Sequence, residues 1–277
     1  MVEILAVATI ALILVGVLLN AYQSMVDKSA MVREVGAARN LIAAHLNYSA
    51  ENNGAILPGQ KEVAGTLDRN GNELKMFMSK RWVLRLAPYF DYQFPGTVVV
   101  NETLREYREM SGKKPIQGLE ADVYVASIGP SLGMNSTFVG GNYNAILDEA
   151  FSTDPTVASE SVYGKFYVSH ISQVAVPSKM IVFASARYRD ANNNRTGNEH
   201  IFAPRISGDL RWNSSFDPAG NSAASGHVDA RWEGKAVAAQ MDGSVALLNF
   251  QELQDMRRWS NQAAEADDPN WTLRTPQ

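Results

Sequence analysis

The stretch Ile4–Leu19 reads ILAVATIALILVGVLL, and its reading decides the fold. Its sixteen residues are apolar or small, weakened only by Thr9 and Gly16. Charge-free sequence continues to Val26, 23 residues in all. A helix crossing the hydrocarbon core of a bilayer needs roughly 20 apolar residues. The run is long enough if Tyr22 sits at the interface, where aromatic rings are favoured. A cleaved secretory signal would carry a basic start and a small-x-small cleavage site. Here the first basic residue is Lys28, and no clean site of that kind follows the run. The expectation is a membrane anchor.

Downstream, Asp27–Glu51 has no Pro, only Gly36, and many good helix formers. Val35, Ala38, Ile42, Leu46 and Ser49 recur at three- or four-residue spacing, the signature of one helix face. Arg33, Glu34, Arg39 and Asn47 fall on other faces. One continuous helix of about 50 residues, about 75 Å long at 1.5 Å per residue, is the simplest expectation. Asn52-Asn53-Gly54 ends it, because Asn and Gly tolerate a left-handed cap. Pro58 opposes an early restart. The chain then divides into a transmembrane and stalk helix, residues 1–54, and a globular head, residues 55–277.

The whole chain has 277 residues, 45% hydrophobic and 19% charged, with a net charge of −4 and no Cys. That balance argues against a nucleic-acid platform, which needs a basic face. Without Cys there is no disulfide scaffold, Cys nucleophile or zinc ribbon. In the head, Leu74–Leu86 reads as a helix stopped by Pro88, and Asn101–Met110 as a short surface helix. Val123–Ile128, Gly164–His170 and Met180–Arg187 read as strands. Lys235–Met241 and Ser244–Asn249 flank Asp242-Gly243, a strong hairpin signal in which both turn residues are expected at positive φ. Gln251–Ala264 looks helical, and Ser131–Asn144, Asp190–His200 and Asn213–Gly226 read as polar loops. The fold class is α+β, a long N-terminal helix on an antiparallel-sheet head.

Catalytic and metal signals are thin. Gly129-Pro130-Ser131-Leu132-Gly133 matches the G-x-S-x-G hydrolase elbow, but the residues after it do not read as the helix an elbow needs. None of His45, His170, His200 and His227 is spaced from another as a zinc helix site requires. Asp190, Asn192 and Asn194 alternate as the ligands of a calcium loop do, yet Arg195 replaces the loop's Gly and Ile201 its bidentate Glu. Asp68–Glu73 is a similar fragment, and such clusters are usually turns. Glu3 stands at the edge of the apolar run, where a carboxylate marks either a functional site or a headgroup contact.

Val2-Glu3-Ile4-Leu5 and the run after it resemble the mature start of type IV pilins and type II secretion pseudopilins. Asn40-Leu41-Ile42, Tyr48-Ser49-Ala50-Glu51-Asn52-Asn53-Gly54-Ala55-Ile56-Leu57-Pro58 and Trp82–Tyr89 are similar to one large branch of that family. So are Ser131-Leu132-Gly133-Met134-Asn135 and Pro177–Ala184. The branch ends in His, nine residues, then Asp-Gly. Asp242-Gly243 keeps that layout, with Trp232 where the His would stand, so no metal or acid–base role carries over to that position. Residues like the family's leading Phe-Thr and its basic leader do not precede Val2, which suggests an internal start at Met1 or a trimmed form. Lys28, Arg33 and Arg39 alone would draw the head to the cytoplasm. The resemblance implies the opposite orientation.

What the resemblance implies is a non-enzymatic, pilin-like filament subunit, anchored once in the bacterial inner membrane with its head in the periplasm or outside. Its partners would be copies of itself, other pilin-like subunits, an inner-membrane assembly platform, prepilin peptidase and membrane lipid. Glu3 would pair with the N-terminal amine of a neighbour during assembly. Calcium, which some relatives hold in a head loop, is the one ion the family would add. Helix positions such as Val35 and Ile42 would crosslink between subunits. One rival reading is an anchored ligand- or polysaccharide-binding protein using Trp212 and Trp232; another is an anchored hydrolase using Ser131.

Overall fold

The computed structural model describes residues 2–141, 163–206 and 211–274, with side chains from Leu14 onward. Helix α1 runs unbroken from Val2 to Glu51. The sequence supports that length, because no Pro interrupts it and Gly36 meets nothing that would force a kink. It stops where expected: Asn53 and Gly54 take φ of 55° and 85°, and the Gly54 N–H bonds back to the Ser49 carbonyl at 2.7 Å. A side chain at Gly54 would also strike the His170 imidazole.

The two halves of α1 live in different surroundings. Leu14, Val17, Leu18 and Leu19 are each more than half exposed. From Glu34 onward the helix buries Ala37, Ala38, Leu41, Ile42, Ala44, His45 and Ser49. The face read from spacing is therefore the packed one, with Val35 and Leu46 at its edges. Glu34 is the correction: it is fully buried, not on an outer face. Among the residues whose side chains are described, no helix is long and apolar enough to cross a membrane; the apolar run begins earlier, at Ile4.

The sheet beneath α1 has the order β1 (Leu132–Met134), β2 (Ile181–Ser185), β5 (Lys235–Gln240), β6 (Val245–Asn249), all antiparallel. A second, two-stranded sheet pairs β3 (Arg187–Arg189) with β4 (Asn194–Thr196). Strand β5 shows why both faces of the larger sheet are filled. Val237 and Ala239 belong to the core under α1, whereas Ala236 and Ala238 pack on the opposite face against Leu253, Met256 and Trp259. That alternation is the period of two of a strand. In β2 the register shifts between Ile181 and Phe183, and the irregularity lets Val182 and Phe183 both join the core under α1.

Several elements depart from the sequence reading. Val123–Ile128 is not a strand; it lies in helix α5, Ala121–Ile128. Its β-branched residues suggested a strand, but Ala121, Asp122, Val123, Ala126 and Ser127 form one buried helical face, and packing outweighs so small a propensity. Leu74–Leu86 is split into α2 (Phe77–Lys80) and α3 (Trp82–Leu86), because Arg81 turns extended between them. Pro88 enters a 3₁₀ turn, Ala87–Phe90, instead of ending a long helix. Gly164–His170 makes single bridges from Val168 to Val139 and from His170 to Ala55, and no strand. The expected C-terminal helix is three pieces, Phe250–Leu253, Met256–Arg258 and Asn261–Glu265. Strands β1 and β4 fall inside two of the expected loops; the end of the first loop, Asn142–Asn144, lies outside the described residues. Helix α4, Asn101–Met110, matches its expected bounds.

Candidate functional site

The hairpin β5–β6 carries the Asp-Gly motif. Its link is a turn between Gln240 and Ser244, closed by the Gln240 N–H on the Ser244 carbonyl at 2.9 Å and the Gly243 N–H on the Gln240 carbonyl at 3.0 Å. Only Gly243, at φ 89°, is left-handed. Asp242 keeps negative φ, and its carboxylate accepts from the Ser244 N–H at 2.9 Å and the Ser244 hydroxyl at 2.6 Å. The turn is thus a three-residue hairpin with a glycine bulge, not the two-residue type that would need positive φ twice. A side chain at Gly243 would press on Leu46 of α1, so the hairpin tip lies against the helix.

Glu34 is the polar centre of the helix–sheet contact. The hydroxyl of Ser185, at the end of β2, donates to its Oε1 and accepts the Val237 N–H of β5 at 2.9 Å. Arg231 lies 3.7 Å from Oε2 and pairs with Asp229 at 3.0 Å. Burial raises the Glu34 pKa, and Arg231 and Ser185 resist that rise. Burial works against the charge of Arg231 too, but Glu34 and Asp229 outweigh it and its pKa is raised. Trp232, in the motif's His position, sits beside the same carboxylate, its indole N–H not at hydrogen-bonding geometry. One side chain of α1 therefore binds two strands and the segment before the hairpin.

A second ionic cluster lies behind α2 and α3. Glu199 ion-pairs with Arg81 at 3.1 Å, and its backbone carbonyl accepts the Trp82 indole N–H at 2.7 Å. Burial pushes the Glu199 carboxyl up to about 7 against the pull of Arg81, Arg85 and Arg195. Its neighbour His200 is pushed down to about 3 by burial and then by Arg81 and Arg85, and its Nδ1 meets the Ser136 hydroxyl at 2.9 Å. His45, on α1, has no hydrogen-bond partner at either ring nitrogen and meets Phe183 edge-on at 5.8 Å. Burial lowers its pKa to about 4. His45 is thus a packing residue of the helix–sheet contact.

The remaining candidates separate. Ser131 is buried, follows a helix and precedes a strand, the reverse of an elbow. Its hydroxyl meets the Thr103 hydroxyl at 2.6 Å and caps the start of α4 through the Val100 N–H at 3.0 Å. Asp190 sits in the β3–β4 turn, where its Oδ1 accepts the N–H groups of Asn192 and Asn193 at 2.7 Å and its Oδ2 accepts the Tyr188 hydroxyl at 2.8 Å. Those bonds lower its pKa to about 2. Asp68 makes the same kind of turn with Asn70 and Asn72. Among the described residues, no group of three or more His, Asp or Glu is placed to hold a metal. Trp212 stacks on Phe250 and meets Trp259 edge-on, packed against the edge of the core. Trp212 and Trp232 are both half-buried, and Trp232 lines an open cleft beside α1. Glu3 lies in the first turn of α1, and its side chain is outside the described residues. No family model, curated protein or solved structure matches this chain.

Proposed function

We propose that this protein is a pilin-like filament subunit, held by the first half of α1 in a bacterial inner membrane before assembly and packed through it afterwards. The observation that carries the reading is one unbroken helix with two kinds of environment. Its second half is built into an antiparallel head, while Leu14, Val15, Leu18, Leu19 and Met25 stand exposed with nothing of their own chain to cover them. Such a surface is stable in lipid or against other helices of the same kind, where close apolar packing without water drives association. The resemblance of Val2–Leu5, Tyr48–Pro58 and Trp82–Tyr89 supports the same reading. Platform, processing peptidase and sister subunits are the partners it implies.

Glu3 carries the register in this proposal. A carboxylate buried among helices needs a partner, and a neighbour's N-terminal amine supplies one; without it the buried charge costs several kcal/mol. Glu3→Ala should abolish assembly in cells while the protein still reaches the membrane. Normal filaments or normal secretion from that variant would exclude Glu3 from the mechanism. Crosslinking needs different positions from those suggested by spacing alone. Ile42 faces its own head at 1% exposure, whereas Leu18 and Met25 are 66% and 71% exposed. Cysteines at Leu18 and Met25 should give intermolecular crosslinks, and a cysteine at Ile42 should not.

A further inference from the structure

The head holds an open cleft of about 370 Å³ where the end of α1 meets α3 and the loop after Pro58. Ligand sites typically occupy roughly 300–1,000 Å³. Tyr48, Tyr89 and Tyr92 line its walls with Pro58 and Leu84, and Arg85 is the one charged residue lining it. Tyr48 and Tyr89 stand edge to face, 5.5 Å apart. Asn52 sits at the rim, donating to the Tyr89 hydroxyl at 3.3 Å.

Arg85 is 7% exposed, and its Nη1 is buried with no hydrogen-bond partner among the described residues. The other face of its guanidinium is fully used: Nη2 donates to the carbonyls of Gly59 and Lys80, and Nε approaches that of Arg81. A buried unpaired donor on a charged group is costly, so such groups are ordinarily satisfied. The surrounding charge makes the deficit larger. Arg81, Arg85 and Arg195 converge on a single buried carboxylate, Glu199, which already pairs with Arg81. Glu106, beside Arg195, lies nearer the surface, and Glu51 adjoins Tyr89 outside the cleft. Asp68 acts on Tyr92 from outside the lining as well, so Arg85 is the charged group inside the cleft and the acidic groups stand around it.

We propose that this cleft binds an acidic sugar, its carboxylate on the Arg85 guanidinium and its ring against the tyrosines. A carboxylate matches the guanidinium and supplies the acceptor that Nη1 lacks, and such charge-assisted bonds are about twice as strong as neutral ones. Tyrosine rings offer flat apolar faces with a polar tip, which suits a pyranose that has both. The open shape admits one unit of a longer polymer. This site is independent of the filament reading, since none of its lining residues belongs to the exposed half of α1.

The test uses the full chain in detergent with a trisaccharide of galacturonic acid, and the neutral galactose trisaccharide as control. Calorimetry should show binding of the acidic sugar only, weakening as salt is raised. Tyr89→Ala and Arg85→Lys should each lower affinity by about tenfold or more, near 1.4 kcal/mol, with cooperative thermal unfolding retained. Should Arg85→Lys fail to fold, Tyr89→Ala decides alone. Absence of binding at millimolar sugar, equal binding of the neutral control, or undiminished affinity in a folded variant would overturn the proposal.

Discussion

Two buried carboxylates divide the head between them. Glu34, from α1, is fully buried and meets the Ser185 hydroxyl and Arg231, which also pairs with Asp229. Glu199 is partly buried and faces Arg81, Arg85 and Arg195, each of which keeps one buried guanidinium nitrogen without a hydrogen-bond partner among the described residues. The first arrangement is a fastener. A hydroxyl and a guanidinium tie the helix carboxylate to the strands beneath it. The second lies against a cleft. A carboxylate inside the fold thus serves two ends, and what separates them is the balance of charge: two carboxylates share one arginine at Glu34, whereas three arginines face one carboxylate at Glu199.

The sharpest way to break the comparison is to remove the cation at each site. Arg231→Met leaves Glu34 and Asp229 without their cation, and loss of one member of a buried pair costs about 3–5 kcal/mol. Denaturant unfolding should show that loss, with α1 released from the sheet. Arg81→Met should cost less, about 1–3 kcal/mol, because Arg85 and Arg195 still face Glu199. An equal loss in the two variants would mean that the surplus at Glu199 has no energetic content.

Titration gives the next test. Glu199 holds its proton up to about 7, against an ordinary 4.5, so the native state binds more protons than the unfolded chain in that window. Its contribution is full below about 4.5 and is lost as pH rises through about 7. His45, His200 and His227 are lowered from 6.5 to about 4, about 3 and about 4, so each loses stability as pH falls below 6.5. The two slopes oppose each other between 4.5 and 6.5. Glu199→Gln should therefore steepen the fall in stability on acidification, by roughly 1.4 kcal/mol per pKa unit removed. A melting profile unchanged from pH 7 to 5 in that variant would contradict it.

The smallest effect is expected at His45. Its two ring nitrogens have no partner, so His45→Leu removes a buried polar group at little loss of packing. Stability at neutral pH should rise by about 1 kcal/mol, and the acid slope should flatten. A loss of stability at both pH values would show that the imidazole packs better against Phe183 than its missing bonds cost.

Legibility from sequence followed how local the physics is. The rod from Val2 to Glu51, its left-handed end at Asn53-Gly54, α4 and the β5–β6 hairpin were readable, because helix propensity, cap chemistry and turn residues act within a few positions. The two strands read at Val123–Ile128 and Gly164–His170 were wrong. Their β-branched and aromatic residues fit strands, but what they pack against lies far along the chain. The candidate site shows the same limit. Asp242 and Gly243 were visible by their turn chemistry, whereas Glu34 looked like an outward charge and Arg85 like any helical arginine.

By itself, then, the sequence determined a long helix with an apolar first half, an α+β head after residue 54 and a hairpin at Asp242-Gly243. Only the tertiary structure decided that Glu34 turns inward to Ser185 and Arg231, that VYVASI coils instead of extending, and that Arg85 backs a tyrosine-lined cleft. The physical reason is reach. Periodicity and capping are settled between neighbours, but the worth of a buried charge depends on partners 151 positions away, as between Glu34 and Ser185, which only folding brings together.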